Sequence, residues 1–144
     1  LLMSMGGAYE GDVFQNAFFE NPYQDEHNWL TLHLVGTQSN RSAIGAKVIL
    51  TVKENGYERK IYREVNSGGS FGASTLRVEV GLGNAEEIKD VTIHWPNSEE
   101  QIFTNLLPNT FYQITEGKES AQQLNLESFQ FNQSSSTHHH AIVP

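Results

Sequence analysis

Residues 61–83 read IYREVNSGGSFGASTLRVEVGLG, a strand, a glycine-rich loop and a second strand closed by Gly-Leu-Gly. Leu76, Val78, Val80 and Leu82 alternate with Arg77, Glu79 and Gly81, the period-two pattern of a strand with one buried face. The loop between the strands, Ser67-Gly68-Gly69-Ser70-Phe71-Gly72, sets three glycines around one aromatic, and glycine turns the chain sharply without steric cost. A phosphate-cradling loop would open a helix, whose aligned N–H groups bind the anion. Here the loop opens a strand. That argues against a nucleotide site and for a β-rich binding or structural module.

On either side the chain is a run of short strands separated by turn signals. Residues 12–20 read as a strand ending at Asn21-Pro22. Trp29 to Val35 sets Leu30, Leu32 and Leu34 against Thr31 and His33, and Ile44 to Val52 sets Ala46, Val48, Leu50 and Val52 against Lys47 and Thr51. Asn55-Gly56, between that run and Tyr57 to Val65, is the strongest short-range hairpin signal, because both residues accept the positive φ of a type I′ turn. Strands at Thr75 to Leu82, Asp90 to Trp95, Glu100 to Leu106 and Phe111 to Thr115 follow, with a turn at Pro96-Asn97-Ser98. The only helix candidate is a turn around Asn84 to Ile88, with Asn84 as its cap, and negligible helix is expected. About seven strands with turns every 8–12 residues favour an antiparallel sandwich or barrel. The fold class taken forward is all-β, an antiparallel β-sandwich over 28–117, with Leu32, Val48, Leu50, Val78, Val80 and Ile93 in the core. Beyond Gly117 the chain is rich in Gln, Asn and Ser, and Leu124, Leu126, Phe129 and Phe131 are spaced for one more weak strand or belong to a disordered tail.

Composition narrows the function classes. At 144 residues the chain is most simply one domain and buries roughly 68–70% of its unfolded surface. Seventeen acidic against nine basic residues give a net charge of −8, which disfavours nucleic acid, since phosphate contacts need a basic surface. There is no cysteine, so disulfides, thiolate metal sites and a cysteine nucleophile are absent. This fits a bacterial or exported chain. No run approaches the roughly 20 apolar residues of a membrane span. Leu1 to Met5 is apolar but lacks the charged start and the core of about 7–15 residues of a signal peptide, so the chain reads as a fragment that begins mid-protein.

NWLTLHLVGTQSNRSAIGAKV (28–48), GGSFGASTLRVEVGLG (68–83) and VTIHWPNSEEQIF (91–103) together resemble the ASPIC/UnbV domain. The resemblance covers about residues 28–117 in order. That family is typically the C-terminal domain of secreted proteins with FG-GAP/VCBS-type β-propeller repeats. MGGAYEGDVFQNAFFENP (5–22) resembles the last propeller strand leading into such a domain. The family's usual Gly-Tyr after Gly-Gly-Ser is Phe71-Gly72 here. The resemblance implies the end of a propeller repeat in 1–22, an ASPIC/UnbV-like sandwich in 23–117 and a polar tail in 118–144. It also implies a secreted, cell-surface or periplasmic location and the propeller repeats as the domain's partner. The Asp-rich calcium loops of those repeats are not in this chain, so no cofactor is expected in it.

Each feature that could carry chemistry has a structural competitor. Asn40 and Arg41 lie in the loop before Ile44; Arg41 would bind a carboxylate or phosphate bidentately, or tie the loop to backbone carbonyls. Phe71, beside Ser70, would stack on a sugar or enter a partner, or cap the end of the sandwich. His138-His139-His140 would hold a transition metal only with a folded partner, because adjacent residues of an extended chain point to opposite sides; a native tail or part of a tag is the simpler reading, and no metal site is expected. His33 and His94 read as surface histidines, and Trp29 and Trp95 as core. Serines lack a nucleophile elbow, and Glu54, Glu58, Glu64, Glu79, Glu99 and Glu100 read as solvated, so no catalytic constellation is found and no enzyme is expected.

The expected function is a non-catalytic extracellular binding or adhesion module appended to a β-propeller, contacting a protein or glycan ligand through Asn40, Arg41, Ser70 and Phe71. The alternatives are a structural cap of the propeller and an accessory domain of a secreted carbohydrate-handling protein.

Overall fold

Most of the long strands turn one apolar face inward, and two sheets result because no single sheet could cover so many apolar faces. The computed structural model describes residues 2–3, 16–19, 27–68 and 74–127. Its strands are β1 (Leu2–Met3), β2 (Ala17–Phe18), β3 (Asn28–Val35), β4 (Lys47–Glu54), β5 (Tyr57–Glu64), β6 (Val78–Gly83), β7 (Glu87–His94), β8 (Glu100–Phe103), β9 (Thr110–Thr115) and β10 (Gln122–Leu124). Among the described residues β1 and β2 pair only with each other. The rest form two four-stranded sheets, one in the order β10-β9-β3-β6 and the other β5-β4-β7-β8. The fold is an all-β sandwich. Among the described residues no helix is long and apolar enough to cross a membrane.

The core lies between the two inner faces. Leu30, Leu32 and Leu34 of β3, Val48, Leu50 and Val52 of β4, Val91 and Ile93 of β7 and Ile114 of β9 are all 2% exposed or less. The six residues expected in the core, Leu32, Val48, Leu50, Val78, Val80 and Ile93, are all buried. Asn55 and Gly56 join β4 to β5 with φ of 52° and 81°, and Glu54 faces Tyr57 across a two-residue loop, as the sequence requires.

Three features differ from the sequence reading. First, the sandwich is not wholly antiparallel: β3 runs antiparallel to β6 but parallel to β9, with Leu30 opposite Thr110 and Val35 opposite Thr115. Second, residues 84–88 form no helix. Ala85 N–H donates to the Leu82 carbonyl at 3.2 Å, Glu86 N–H reaches across to Lys53 at 2.9 Å, and β7 begins at Glu87. Third, Trp95 is 2% exposed in the core, but Trp29 is only partly buried and lies outside the core cluster.

Candidate functional site

At one end of the sandwich the 36–46 loop carries the chain from β3 in one sheet to β4 in the other, and a single carboxylate organises it. Glu116, just past β9, is 5% exposed. Its Oε2 accepts the backbone N–H of Thr37 at 2.7 Å, Gln38 at 2.7 Å and Ser39 at 2.8 Å, while the Ser39 hydroxyl donates to Oε1 at 2.8 Å. Burial alone would push this carboxyl up. The Ser39 and Thr37 amides, the Ser39 hydroxyl and the Gln38 amide outweigh it and bring the pKa down to about 2. Three successive amides converging on one anion form a backbone nest, and the protein fills it with its own side chain.

The loop closes tightly around that contact. Gly36 N–H donates to the Arg41 carbonyl at 3.1 Å, and a Cβ at position 36 would lie 2.1 Å from the Asn40 carbonyl oxygen, so only glycine fits. The Asn40 amide donates to the Ile44 carbonyl at 2.8 Å and accepts the Ile44 N–H at 2.9 Å. Asn40 is thus bonded within its own turn. Arg41 is exposed; its backbone carbonyl closes the loop on Gly36. Ser70 and Phe71 lie outside the described residues, as do His138, His139 and His140. Among the described residues no group of three or more His, Cys, Asp or Glu could hold a metal ion.

The opposite end is tied by Arg59, which donates to Glu54 Oε2 at 2.6 Å and to the Leu82 carbonyl at 2.6 Å, bridging β5 to β6 across the sandwich. The Arg59 hydrogen bond, with the Asn84 amide, holds Glu54 below the usual carboxylate range. Asn40 and Glu116 at one end, and Glu54 and Arg59 at the other, are committed to holding the sandwich closed.

The outer face of the β10-β9-β3-β6 sheet is arranged differently. With Leu30, Leu32, Val78, Val80 and Tyr112 turned inward, the alternation places Trp29, Thr31 and His33 of β3, Glu79 and Gly81 of β6, and Phe111 and Gln113 of β9 outward. Register aligns them in rows: Trp29 beside Gly81; Leu124, Phe111, Thr31 and Glu79 across all four strands; Gln122, Gln113 and His33 in the next row. Trp29 and Phe111 meet edge to face, centroids 5.0 Å apart and planes at 63°. Two hollows flank Phe111. One, of about 400 Å³, is lined by Trp29, Thr31, Glu79, Gly81 and Phe111. The other, of about 120 Å³, is lined by Thr31, His33, Arg77, Phe111, Leu124 and Leu126. A Cβ on Gly81 would meet nothing within 4 Å, so the floor of the larger hollow is open. Among the described residues, no hydrogen bond or ion pair engages the side chains of His33, Arg77, Glu79, Gln113 or Gln122.

The sequence reading placed binding on the loops and did not single out this face. The signal was present: strand parity alone sets Trp29 opposite Leu30. His33 is exposed, as read, and His94 sits 3.1 Å from Glu100 on the other sheet. A family model described as ASPIC and UnbV matches residues 36–121, more than half of the chain. No curated protein matches it.

Proposed function

The chain belongs to the ASPIC and UnbV family, and from that premise we propose that it is a non-catalytic extracellular binding module, appended to a β-propeller, that recognises its ligand on the outer face of the β10-β9-β3-β6 sheet. The observation that carries this reading is the contrast between the polar groups of the molecule. Asn40, Glu54, Arg59 and Glu116 are bonded within the fold, whereas the side chains of His33, Arg77, Glu79, Gln113 and Gln122 on the Trp29–Phe111 face have no partner among the described residues. A face whose hydrogen-bonding groups surround aromatic rings, with no partner among the described residues, has the composition of a ligand site. Loops at the end of a sandwich are the usual place for contacts, but here the 36–46 loop is bound to Glu116.

Trp29 separates this reading from the structural cap. Trp95 is 2% exposed and invisible to a soluble quencher, so acrylamide quenching of tryptophan fluorescence reports Trp29. In the polypeptide carrying the propeller repeats, a binding module keeps Trp29 quenchable. Protection of both tryptophans there would show the face packed against the repeats and overturn the reading in favour of the cap. Screening of ester, peptide, glycoside and phosphoester substrates is expected to give background rates; turnover abolished by a single substitution would overturn the non-catalytic part.

A further inference from the structure

Resting on that reading, we infer that the ligand of the Trp29–Phe111 face is a neutral oligosaccharide, seated across the two hollows that flank Phe111. A sugar ring offers an apolar C–H face and a rim of hydroxyls that both donate and accept. The face offers the complement. Trp29, next to the open floor at Gly81, supplies an aromatic wall for one ring. Glu79 accepts, Arg77 donates, and the His33 ring and the Gln113 and Gln122 amides do both. Each ends in a planar polar group, a shape that engages neighbouring hydroxyls in pairs.

Three observations select this class. The hollows adjoin, sharing Thr31 and Phe111, and the face spans four strands, roughly 15 Å at the usual strand spacing, which suits a chain of sugars better than one. Charge argues for neutrality: Arg77 and Glu79 are the charged residues lining the hollows and offset one another, while a chain of net charge −8 repels polyanions at long range. A protein partner fits less well. The centre of a protein interface is depleted of charged groups and filled by large apolar ones; here the most central residue, 6% exposed, is a threonine flanked by Glu79, and two residues along β6 from Glu79 lies a glycine with empty space above.

Affinity electrophoresis of the full chain in gels containing xyloglucan, galactomannan or hydroxyethyl cellulose, with heparin as the anionic arm, tests the inference. At least one neutral polysaccharide is expected to retard the chain, heparin is not, and Trp29→Ala weakens the retardation about tenfold, the size of one aromatic contact. Gly81→Phe is the second variant: its side chain enters the open hollow, so retardation is lost while the melting temperature holds. No retardation by any neutral polysaccharide, retardation by heparin alone, or retardation that survives both substitutions would overturn the inference. If Trp29 meanwhile remains quenchable in the propeller-bearing polypeptide, the ligand class alone has failed and the binding module stands; if Trp29 is shielded, the module reading has failed first.

Discussion

Ser39 holds both oxygens of Glu116 from 77 residues away in the chain, its N–H on Oε2 and its hydroxyl on Oε1, each at 2.8 Å. Because β3 and β9 run parallel, their C-terminal ends arrive side by side. The residue leaving β9 therefore meets the loop leaving β3. A charge-assisted bond at this point fixes the crossover between sheets.

Glu116→Ala is expected to leave three part-buried amides without their acceptor and to cost about 3 kcal/mol. Glu116→Gln, which keeps one acceptor oxygen, costs less. Urea unfolding of the two variants checks the order.

The same carboxylate sets an acid limit. Its pKa falls from 4.5 in the unfolded chain to about 2 in the folded one, so the folded state favours the ionised form. That stability is fully present above pH 4.5 and drains away as pH falls towards 2. The linkage amounts to about 3 kcal/mol. Stability measured across this window should slope down in the parent chain and distinctly less in Glu116→Gln. Equal slopes would remove Glu116 from the account.

Two glycines predict opposite outcomes for one substitution. Gly36→Ala forces a Cβ to within 2.1 Å of the Asn40 backbone oxygen, which the loop cannot yield without breaking its bonds to Glu116, so a loss of about 3 kcal/mol or failure to fold is expected. Gly81→Ala meets open space in the middle of β6 and should gain about 0.5 kcal/mol by reducing backbone entropy. Thermal melts of both variants decide it.

Gly56 isolates backbone from packing. Nothing lies within 4 Å of its would-be Cβ, yet its φ is +81°, which β-branched residues strongly disfavour. Gly56→Val should destabilise the domain by about 1–2 kcal/mol, and Asn55→Gly, which relieves no clash and adds no strain, should change little. If Gly56→Val melts with the parent, the hairpin is not held in the type I′ geometry.

Most of the sandwich was legible because a strand with one buried face must alternate, and Leu30–Leu34, Val48–Val52 and Val78–Leu82 do so without interruption. Asn55-Gly56 fixed a register for the same local reason. What was illegible is non-local. The parallel pairing of β3 with β9 leaves no mark in either strand. The nest around Glu116 is made of backbone N–H groups, which every residue but proline carries, so no residue type announces it. The helix candidate at 84–88 had its own cause. It rested on Asn84 as a cap, but the Asn84 N–H donates to Glu54 Oε1 at 2.9 Å, and Ala85 and Ile88, 1% and 4% exposed, are buried separately by a turn and then a strand.

The crossing of β3 and β9 also sets a clock. The β5-β4-β7-β8 sheet draws every strand from residues 47–103, whereas β3 awaits a neighbour 80 residues downstream, where Asn109 closes on Trp29. A ribosome adds about 5–20 residues per second, so Asn28–Val35 stays without β9 for roughly 4–16 s of synthesis. During that interval its leucine-rich edge is open to any other strand, including the β3 of a neighbouring nascent chain. Yield of the soluble domain should then depend on how fast translation runs between β3 and β9 as much as on the stability of the finished sandwich.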